Sequence, residues 1–405
     1  MKKPANVLSE KHLERYADVL IWGITTARKG HYRNGNIVLI QYDRAALRLV
    51  EILYEKIVEM GMHPIQRINL STEMERSFFG KSSERQLIFQ PPGDEEFYKN
   101  LHGRIYLHAP ESLTHLKDID SSKIGKALVA RKKLRDILDA REQKGDYSWT
   151  LCTFPTEELA RQAKTTLGLY ANQIIKACYL DQKDPVAKWE EIRRKATVIK
   201  KWLCSLNVDR FHVESAHCDL WISPGEQRQW IGISGHNIPS FELFLSPDWR
   251  GTKGIYYANL PSYRSGNYVE GVRLTFDKGE VTDIHADIGE DFTVRQLAMD
   301  KGAKRVGEFS LTDKRFSRIN IFMADTLFDE NFGGKYGNCH IAVGASYTDT
   351  FAGDQAAMNP TLKRKLGFNE SALHWDMVNT EPKTVTACLR TGQKTIIYEN
   401  GLFKH

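Results

Sequence analysis

The sequence contains few cysteines, and they are widely separated. The six are Cys152, Cys178, Cys204, Cys218, Cys339 and Cys388. They form no C-x-x-C pair, which excludes a zinc ribbon and a dithiol redox motif. Dispersed cysteines of this kind are typical of reduced thiols, so we expect a cytoplasmic protein without disulfides.

Long apolar runs and strong charge bias are also lacking. The chain has no stretch of ~18 apolar residues, and the segment after Met1-Lys2-Lys3 is polar, so we expect neither a membrane-spanning helix nor an export signal. The net charge is +6 over 405 residues, with Lys and Arg spread along the chain. We therefore expect no membrane and no nucleic-acid partner.

The first half of the chain alternates between strand-like and helix-like segments. An apolar strand, an amphipathic helix and a second strand form a β-α-β unit, which implies a parallel sheet. The predicted strands cover residues 36–42, 64–70, 103–108 and 147–152. The predicted helices cover residues 10–23, 44–60, 124–141 and 184–206, with a further helix that begins after Thr156 as its N-cap.

Beyond about residue 208, strand signals follow one another closely, with turn residues between them. Predicted strands cover residues 211–214, 218–222, 268–276 and 281–286, and one helix covers 292–301. The fold class is thus α/β plus α+β. We predict an N-terminal α/β domain with a mostly parallel sheet over residues 1–200. A mostly antiparallel β domain that carries the functional site is predicted over residues 201–405.

Acids and histidines occur in apolar, strand-like sequence of the second half, where packing gives no reason for them. These candidates are Glu242, Glu308, Glu330, His340, His374 and Asp376. Carboxylates and imidazoles without cysteine suit a hydrolytic metal centre. If residues 372–378 form a strand, His374 and Asp376 project from one face and could bind one ion. A polar surface edge is the alternative interpretation of that pair.

The charge of the four acids indicates how many ions such a centre would hold. If Glu242, Glu308, Glu330 and Asp376 meet in one dry site, repulsion raises their pKa values unless cations are present. Two divalent ions offset all four charges, whereas one ion offsets half of them. We therefore favour a two-metal centre with a bridging carboxylate. Zinc is the first choice, and cobalt and manganese accept the same ligands.

Six segments of the chain, in fixed order, resemble the aminopeptidase T and aminopeptidase S family of bacterial two-metal metallopeptidases. The segments are N-I-P-S-F-E (237–242), Y-V-E-G-V-R-L-T-F (268–276), G-A-K-R-V-G-E (302–308), T-L-F-D-E-N (326–331), C-H-I-A-V-G-A-S-Y (339–347) and H-W-D (374–376). The N-terminal half resembles the family more loosely. The segment Phe332–Asn338 is longer than the link usual in the family, and its glycines predict a flexible loop beside the site.

The resemblance implies a role for each candidate residue. Glu242, Glu308, His340, His374 and Asp376 would bind metal, with Glu308 shared between two ions. Glu330 would be a further ligand or a proton carrier, and Tyr347 would interact with the substrate. Taken singly, Tyr347 and His340 could instead be core residues, and Glu308 a surface carboxylate at a strand end.

The implied activity is removal of N-terminal residues from peptides by a metal-activated water. The implied partners are peptides with a free N-terminus and a second copy of the chain in a homodimer. A non-catalytic peptide-binding protein on the same fold and another two-metal amide hydrolase are the alternatives.

Overall fold

The computed structural model describes residues 7–405, which contain thirteen α-helices and nineteen strands. The helices are α1 (Glu10–Thr26), α2 (Leu47–Glu59), α3 (Thr72–Lys81), α4 (Glu84–Leu87), α5 (Asp94–Asn100), α6 (Ser121–Ala130), α7 (Lys132–Lys144), α8 (Glu157–Gln162), α9 (Leu167–Ala177), α10 (Pro185–Ser205), α11 (Glu290–Leu297), α12 (Thr326–Asp329) and α13 (Pro360–Leu366). The strands are β1 (Ile37–Tyr42), β2 (His63–Ile68), β3 (Gly103–His108), β4 (Ser148–Thr153), β5 (Val208–Ser215), β6 (Asp219–Ser223), β7 (Asn237–Ile238), β8 (Glu242–Leu245), β9 (Asp248–Ala258), β10 (Ser262–Arg264), β11 (Asn267–Val269), β12 (Val272–Asp277), β13 (Glu280–His285), β14 (Val306–Thr312), β15 (Asn338–Gly344), β16 (His374–Asn379), β17 (Lys383–Leu389), β18 (Lys394–Glu399) and β19 (Leu402–Phe403). None of these helices combines the length and the apolar character that crossing a membrane requires.

The chain folds into two compact units. The first extends to Trp189 and also includes Ser234–Pro239, and the second comprises Glu190–Ile233 and Ser240–His405. The division into functional domains over residues 1–200 and 201–405 stays a prediction, because a compact unit is not by itself a domain with its own function.

A parallel sheet forms the centre of the first unit. Its strand order is β2-β1-β3-β4-β7, and every pairing is parallel. Leu39 and Ile40 of β1 are both fully buried although they point to opposite faces, which is typical of a sheet covered by helices on both sides. The predicted β-α-β unit is present as β1, α2 and β2, and the predicted fold class is confirmed.

Two details of the first unit bear on the predicted helices. The Thr156 side chain accepts a hydrogen bond from the Leu159 backbone N–H, which confirms the predicted N-cap of α8. The single basic helix predicted over residues 124–141 is wrong, because the structure has α6 and α7 there, joined at Arg131. Leu138 of α7 packs with Leu39 and Tyr147 in a small core cluster. The second of the two helices is thus held by contacts with the parallel sheet.

The second unit contains two antiparallel sheets and a short hairpin. The eight-stranded sheet has the order β13-β12-β9-β6-β5-β17-β18-β19, and the four-stranded sheet has the order β16-β15-β14-β8. The strand predicted over residues 268–276 is broken at Gly271, whose φ is +68° and whose added Cβ would lie 2.0 Å from Asp287 Oδ2. The part before the break pairs with β10 to form the β10–β11 hairpin.

The four-stranded sheet carries five of the six candidate metal-binding residues. All residues of its two central strands, β14 and β15, are buried. The Tyr256 hydroxyl of β9, in the eight-stranded sheet, donates to the carbonyl oxygens of Cys339 (2.9 Å) and Met377 (2.6 Å). This contact ties the two sheets together behind the strands that present the candidate ligands.

Candidate metal centre

Strand pairing brings together candidates that are far apart in sequence. In the four-stranded sheet, Glu308 is paired with Ala342, and Ala342 with Asp376. His340 lies opposite Ser310 on the neighbouring strand, and Glu242 begins β8 opposite Thr312. Acids and imidazoles from all four strands therefore lie on one sheet.

Two groups of potential ligands share Glu308. Glu242, Glu308 and His340 form the first group, and Glu308, His374 and Asp376 form the second. Within each group the ligand atoms lie within 4.8 Å of one another. Oxygen and nitrogen donors without sulfur fit a divalent cation such as zinc, and one carboxylate common to both groups fits a bridging ligand.

The separations within each group suit coordination by one ion. His340 Nε2 lies 3.2 Å from both Glu242 Oε2 and Glu308 Oε1. His374 Nε2 lies 3.4 Å from Asp376 Oδ1 and 3.9 Å from Glu308 Oε2. Ligands about 2.0–2.2 Å from one tetrahedral ion are themselves roughly 3.3 Å apart, so three of these four distances need little adjustment.

Each histidine is oriented through its other ring nitrogen. The Nδ1 of His374 is 2.9 Å from the carbonyl oxygen of Ala345, which can only accept a hydrogen bond. The Nδ1 of His340 is 3.3 Å from Asn338 Oδ1. In both rings Nδ1 therefore donates, and this bond turns Nε2 toward the carboxylates, as in many metal-ligating histidines.

Glu330 lies beside these groups and belongs to neither of them. It is 8% exposed and lines a cavity together with Asp376. Burial, and then the charges of Glu242 and Asp376, raise the pKa of Glu330 well above its ordinary value. The carboxylate of the preceding Asp329 accepts hydrogen bonds from the backbone N–H groups of Met323 and Asp325. Asp329 therefore stabilises the backbone of the segment that leads into α12.

Tyr347 lies next to one of the histidines. Its ring centroid is 4.7 Å from that of His374, and the residue is 46% exposed. Loss of hydration, followed by the charges of Glu308 and Asp376, raises the pKa of the phenol well above its usual value. Tyr347 is therefore a neutral hydroxyl at neutral pH and can donate a hydrogen bond.

The remaining pKa shifts reflect the crowding of acids and histidines at one place on the sheet. Burial raises the pKa of Glu308 to about 7. Burial alone would lower the pKa of His340, but hydrogen bonds to Glu242 and Glu308 outweigh it and raise that pKa to about 10. Burial opposes the Asp376 charge in the same way at His374, whose pKa is raised to about 9. The cluster thus retains protons where divalent cations would balance the same charge.

Two supporting residues were not predicted from the sequence. Ser310 donates to Glu242 Oε2 at 3.2 Å, and Asn338 contacts His340. Asn338 Nδ2 also donates to the carbonyl oxygens of Glu330 (3.0 Å) and Phe332 (2.7 Å). Alternation along the strand was the available signal, because residues two positions from His340 or Glu308 share its face.

The segment Phe332–Asn338 is attached to its surroundings by several backbone contacts. The backbone N–H groups of Gly333 and Gly334 both donate to the carbonyl oxygen of Ile319, at 2.8 and 2.9 Å. At its end, the carbonyl oxygen of Asn338 accepts from the Tyr398 hydroxyl at 3.2 Å. The flexibility predicted for this segment stays a prediction.

The chain is similar to known proteins over most of its length. The profile of the family described as thermophilic metalloprotease (M29) matches residues 9–403. Aminopeptidase PepS of Streptococcus thermophilus is 26% identical over 419 residues, covering 97% of this chain and 98% of that protein. Aminopeptidase T of Thermus aquaticus is 31% identical over 243 residues, covering 56% of this chain and 57% of that protein.

A solved structure shows the same fold. The structure titled wild-type AmpT from Thermus thermophilus superposes with a TM-score of 0.79 and covers 98% of this chain and 100% of that one. Its sequence identity is 23%, so this likeness concerns the fold alone.

Proposed function

Because this chain belongs to the thermophilic metalloprotease (M29) family, we propose that it is an aminopeptidase that removes N-terminal residues from peptides by means of two divalent ions. The observation that carries the proposal is the position of Glu308, whose carboxylate belongs to both groups of potential ligands. Glu242 and His340 would complete one ion site, and His374 and Asp376 the other. Bound there, the ions would supply an activated hydroxide near neutral pH and polarise the scissile carbonyl.

The protein's own residues would handle protons and position the substrate. Glu330 is buried with a raised pKa, which suits a group that takes a proton from water and passes it to the leaving amine. The Tyr347 hydroxyl would donate to the oxyanion that develops on the scissile carbonyl. The carboxylates of Glu330 and Asp376 would attract the α-ammonium of the substrate, so we expect the enzyme to require a free N-terminus.

We also propose zinc as the native ion, a cytoplasmic location and a homodimer. The donor set of carboxylate oxygens and imidazole nitrogens supports zinc, with cobalt and manganese as substitutes. The cytoplasmic location is supported by the six cysteines, none of which is in a disulfide. The homodimer follows from the family resemblance.

Aminoacyl-4-nitroanilides test the proposal. We expect hydrolysis by the metal-loaded protein, loss of activity after exhaustive chelation, and recovery on addition of zinc, cobalt or manganese. Amino-acetylated substrates should remain intact, because they lack the ammonium group that the carboxylates attract.

Two outcomes would identify the alternatives. Binding of peptides without turnover would identify a non-catalytic binding protein. Equal cleavage of blocked and free substrates would identify another type of amide hydrolase. Full activity after complete metal removal would contradict the metal requirement.

A further inference from the structure

A small cavity adjoins the candidate metal centre on the side of Asp376 and Glu330. Three parts of the second unit line it: the segment 260–263 that leads into β10, the helix α12 with Glu330 at its end, and the strand β16. It has room for about one or two water molecules. A group that enters it is therefore next to two of the six candidate site residues.

The wall formed by segment 260–263 is fixed to β16. The backbone N–H of Leu260 donates to the carbonyl oxygen of Val378 at 3.2 Å, and the indole N–H of Trp375 donates to Ser262 Oγ at 3.2 Å. Just beyond, the Arg264 guanidinium donates to the carbonyl oxygen of His374 at 2.8 Å. The wall thus follows the strand that carries His374 and Asp376, and its distance from them is set by these bonds.

The lining of the cavity is apolar on one side and acidic on the other. Leu260, Pro261, Val378 and the ring of Tyr263 form the apolar side. The carboxylates of Glu330 and Asp376 lie on the acidic side, whereas those of the neighbouring Asp329 already accept backbone hydrogen bonds.

We propose that this cavity is the subsite for the side chain of the substrate's first residue and that it selects short, uncharged side chains. The inference rests on the proposed function. An α-ammonium held by Glu330 and Asp376 is only two bonds from the Cβ of the same residue, so the first side chain must enter the space beside these carboxylates. A space of one or two water molecules holds the side chain of alanine or serine. Leucine or phenylalanine would have to displace the wall.

The acidic side adds a selection by charge. The first side chain would lie beside the carboxylates of Glu330 and Asp376, which line the cavity. An N-terminal aspartate would bring a further negative charge into a confined space, whereas asparagine has the same shape without it. The ratio of asparagine to aspartate cleavage therefore isolates the charge from the size.

The test is a series of kcat/KM measurements on aminoacyl-4-nitroanilides with the zinc-loaded protein. The wild type should prefer alanine and serine to leucine and phenylalanine, and asparagine to aspartate, by about tenfold or more in each comparison. Tyr263→Ala and Val378→Ala each widen the apolar side of the cavity, so each should raise the leucine-to-alanine ratio by about tenfold.

Tyr268→Ala is the matched control. Tyr268 faces Tyr263 across the β10–β11 hairpin, with ring centroids 5.1 Å apart, and it is not among the residues that line the cavity. Its loss disturbs the same hairpin and should leave the ratio unchanged.

The possible failures can be told apart. An active wild type that prefers leucine or aspartate, or an unchanged ratio in both widened variants, overturns the subsite and leaves the proposed function intact. A metal-loaded protein that cleaves none of the substrates overturns both.

Discussion

Among single residues, Glu308 has the largest expected effect because its two carboxylate oxygens face different histidines. Glu308→Gln keeps the shape and removes the charge, so metal occupancy should fall at both ion sites and turnover should be lost without unfolding. Elemental analysis of metal per chain, combined with thermal unfolding, checks this. Glu214→Gln on the exposed face of β5 is the control and should retain metal and activity. Full activity of the Glu308 variant would remove its bridging role.

Tyr347 provides a test of transition-state stabilisation. Tyr347→Phe removes the hydroxyl and keeps the ring beside His374. We expect kcat to fall by about 10²–10³, typical of the loss of an oxyanion donor, with KM and metal content unchanged. Steady-state kinetics on an alanyl anilide measures kcat and KM separately. A change confined to KM would instead assign Tyr347 to substrate binding.

Asn338 supports the site in two ways that substitutions can separate. Asn338→Ala removes the acceptor for His340 and the donor to two backbone carbonyls. We expect metal affinity to fall by about tenfold or more and stability to drop. Asn338→Asp keeps the acceptor and loses the donor, so it should retain metal affinity with reduced stability. Competition with a chromogenic chelator measures the affinity, and equal affinity of the two variants would exclude support through His340.

Candidate ligands are easier to predict from the sequence than the residues that support them. Glu308 and His340 stand out because an acid and an imidazole are unusual in buried strands. Asn338 and Ser310 do not, because neutral amides and hydroxyls occur in many buried strands and turns. Their role depends on which strand lies alongside, and that pairing joins residues distant in sequence.

At the scale of secondary-structure elements, Lys383 at the start of β17 is unusual because it is a charged side chain in a buried position. It is 3% exposed, and its Nζ has no hydrogen-bond partner within residues 7–405. Burial lowers its pKa from 10.5 to about 8, so the unfolded chain binds more protons than the folded chain between these values. The titration of Lys383 therefore makes the free energy of unfolding rise with pH between about 8 and 10.5.

Lys383→Met should stabilise the protein at neutral pH and remove this rise. A gain of about 1–3 kcal/mol is expected from replacing a buried, unpaired ammonium with an apolar chain. Urea unfolding at pH 7 and pH 10 measures it. Lys394→Met, at an exposed position of β18, is the control and should not change the pH dependence. Lower stability of the Lys383 variant at pH 7 would indicate an unrecognised partner for the ammonium.

Local elements could be predicted and long-range pairings could not. The unit of β1, α2 and β2 follows from apolar periodicity within about 30 residues. The break at Arg131 has no proline or glycine to mark it, so periodicity alone extended one helix across it. Strand β5 pairs with β17, joining Ser215 to Lys383, and no local pattern specifies a partner so far along the chain.

For the whole molecule, metal binding, proton release and stability are linked. In the metal-free chain the pKa values of His340 and His374 are raised to about 10 and about 9, so both are protonated at pH 8. Ligands must lose their protons to bind a cation. We therefore expect at least two protons to be released per chain on zinc loading at pH 8. More should be released at pH 6, below the Glu308 pKa of about 7. Titration calorimetry in buffers of different ionisation enthalpy counts them.

The same shifts determine how metal removal changes stability with pH. A raised histidine pKa stabilises the metal-free fold fully below the ordinary value of 6.5, and this contribution is lost as pH rises through 9–10. The raised pKa of Glu308 likewise makes the metal-free fold less stable as pH rises from 4.5 to about 7. Loading with zinc replaces these protons, so the difference in Tm between loaded and chelated protein should increase from pH 6 to pH 9.

The size of this difference follows from mass action, since free metal at 100 times its Kd stabilises the fold by about 2.7 kcal/mol. The contribution of Lys383 is present with and without metal and cancels in the difference. Differential scanning calorimetry across the pH range provides the measurement, and Glu308→Gln should show a much smaller difference at every pH. A difference in Tm that shrinks as pH rises would mean that these acids and histidines do not release protons to a cation.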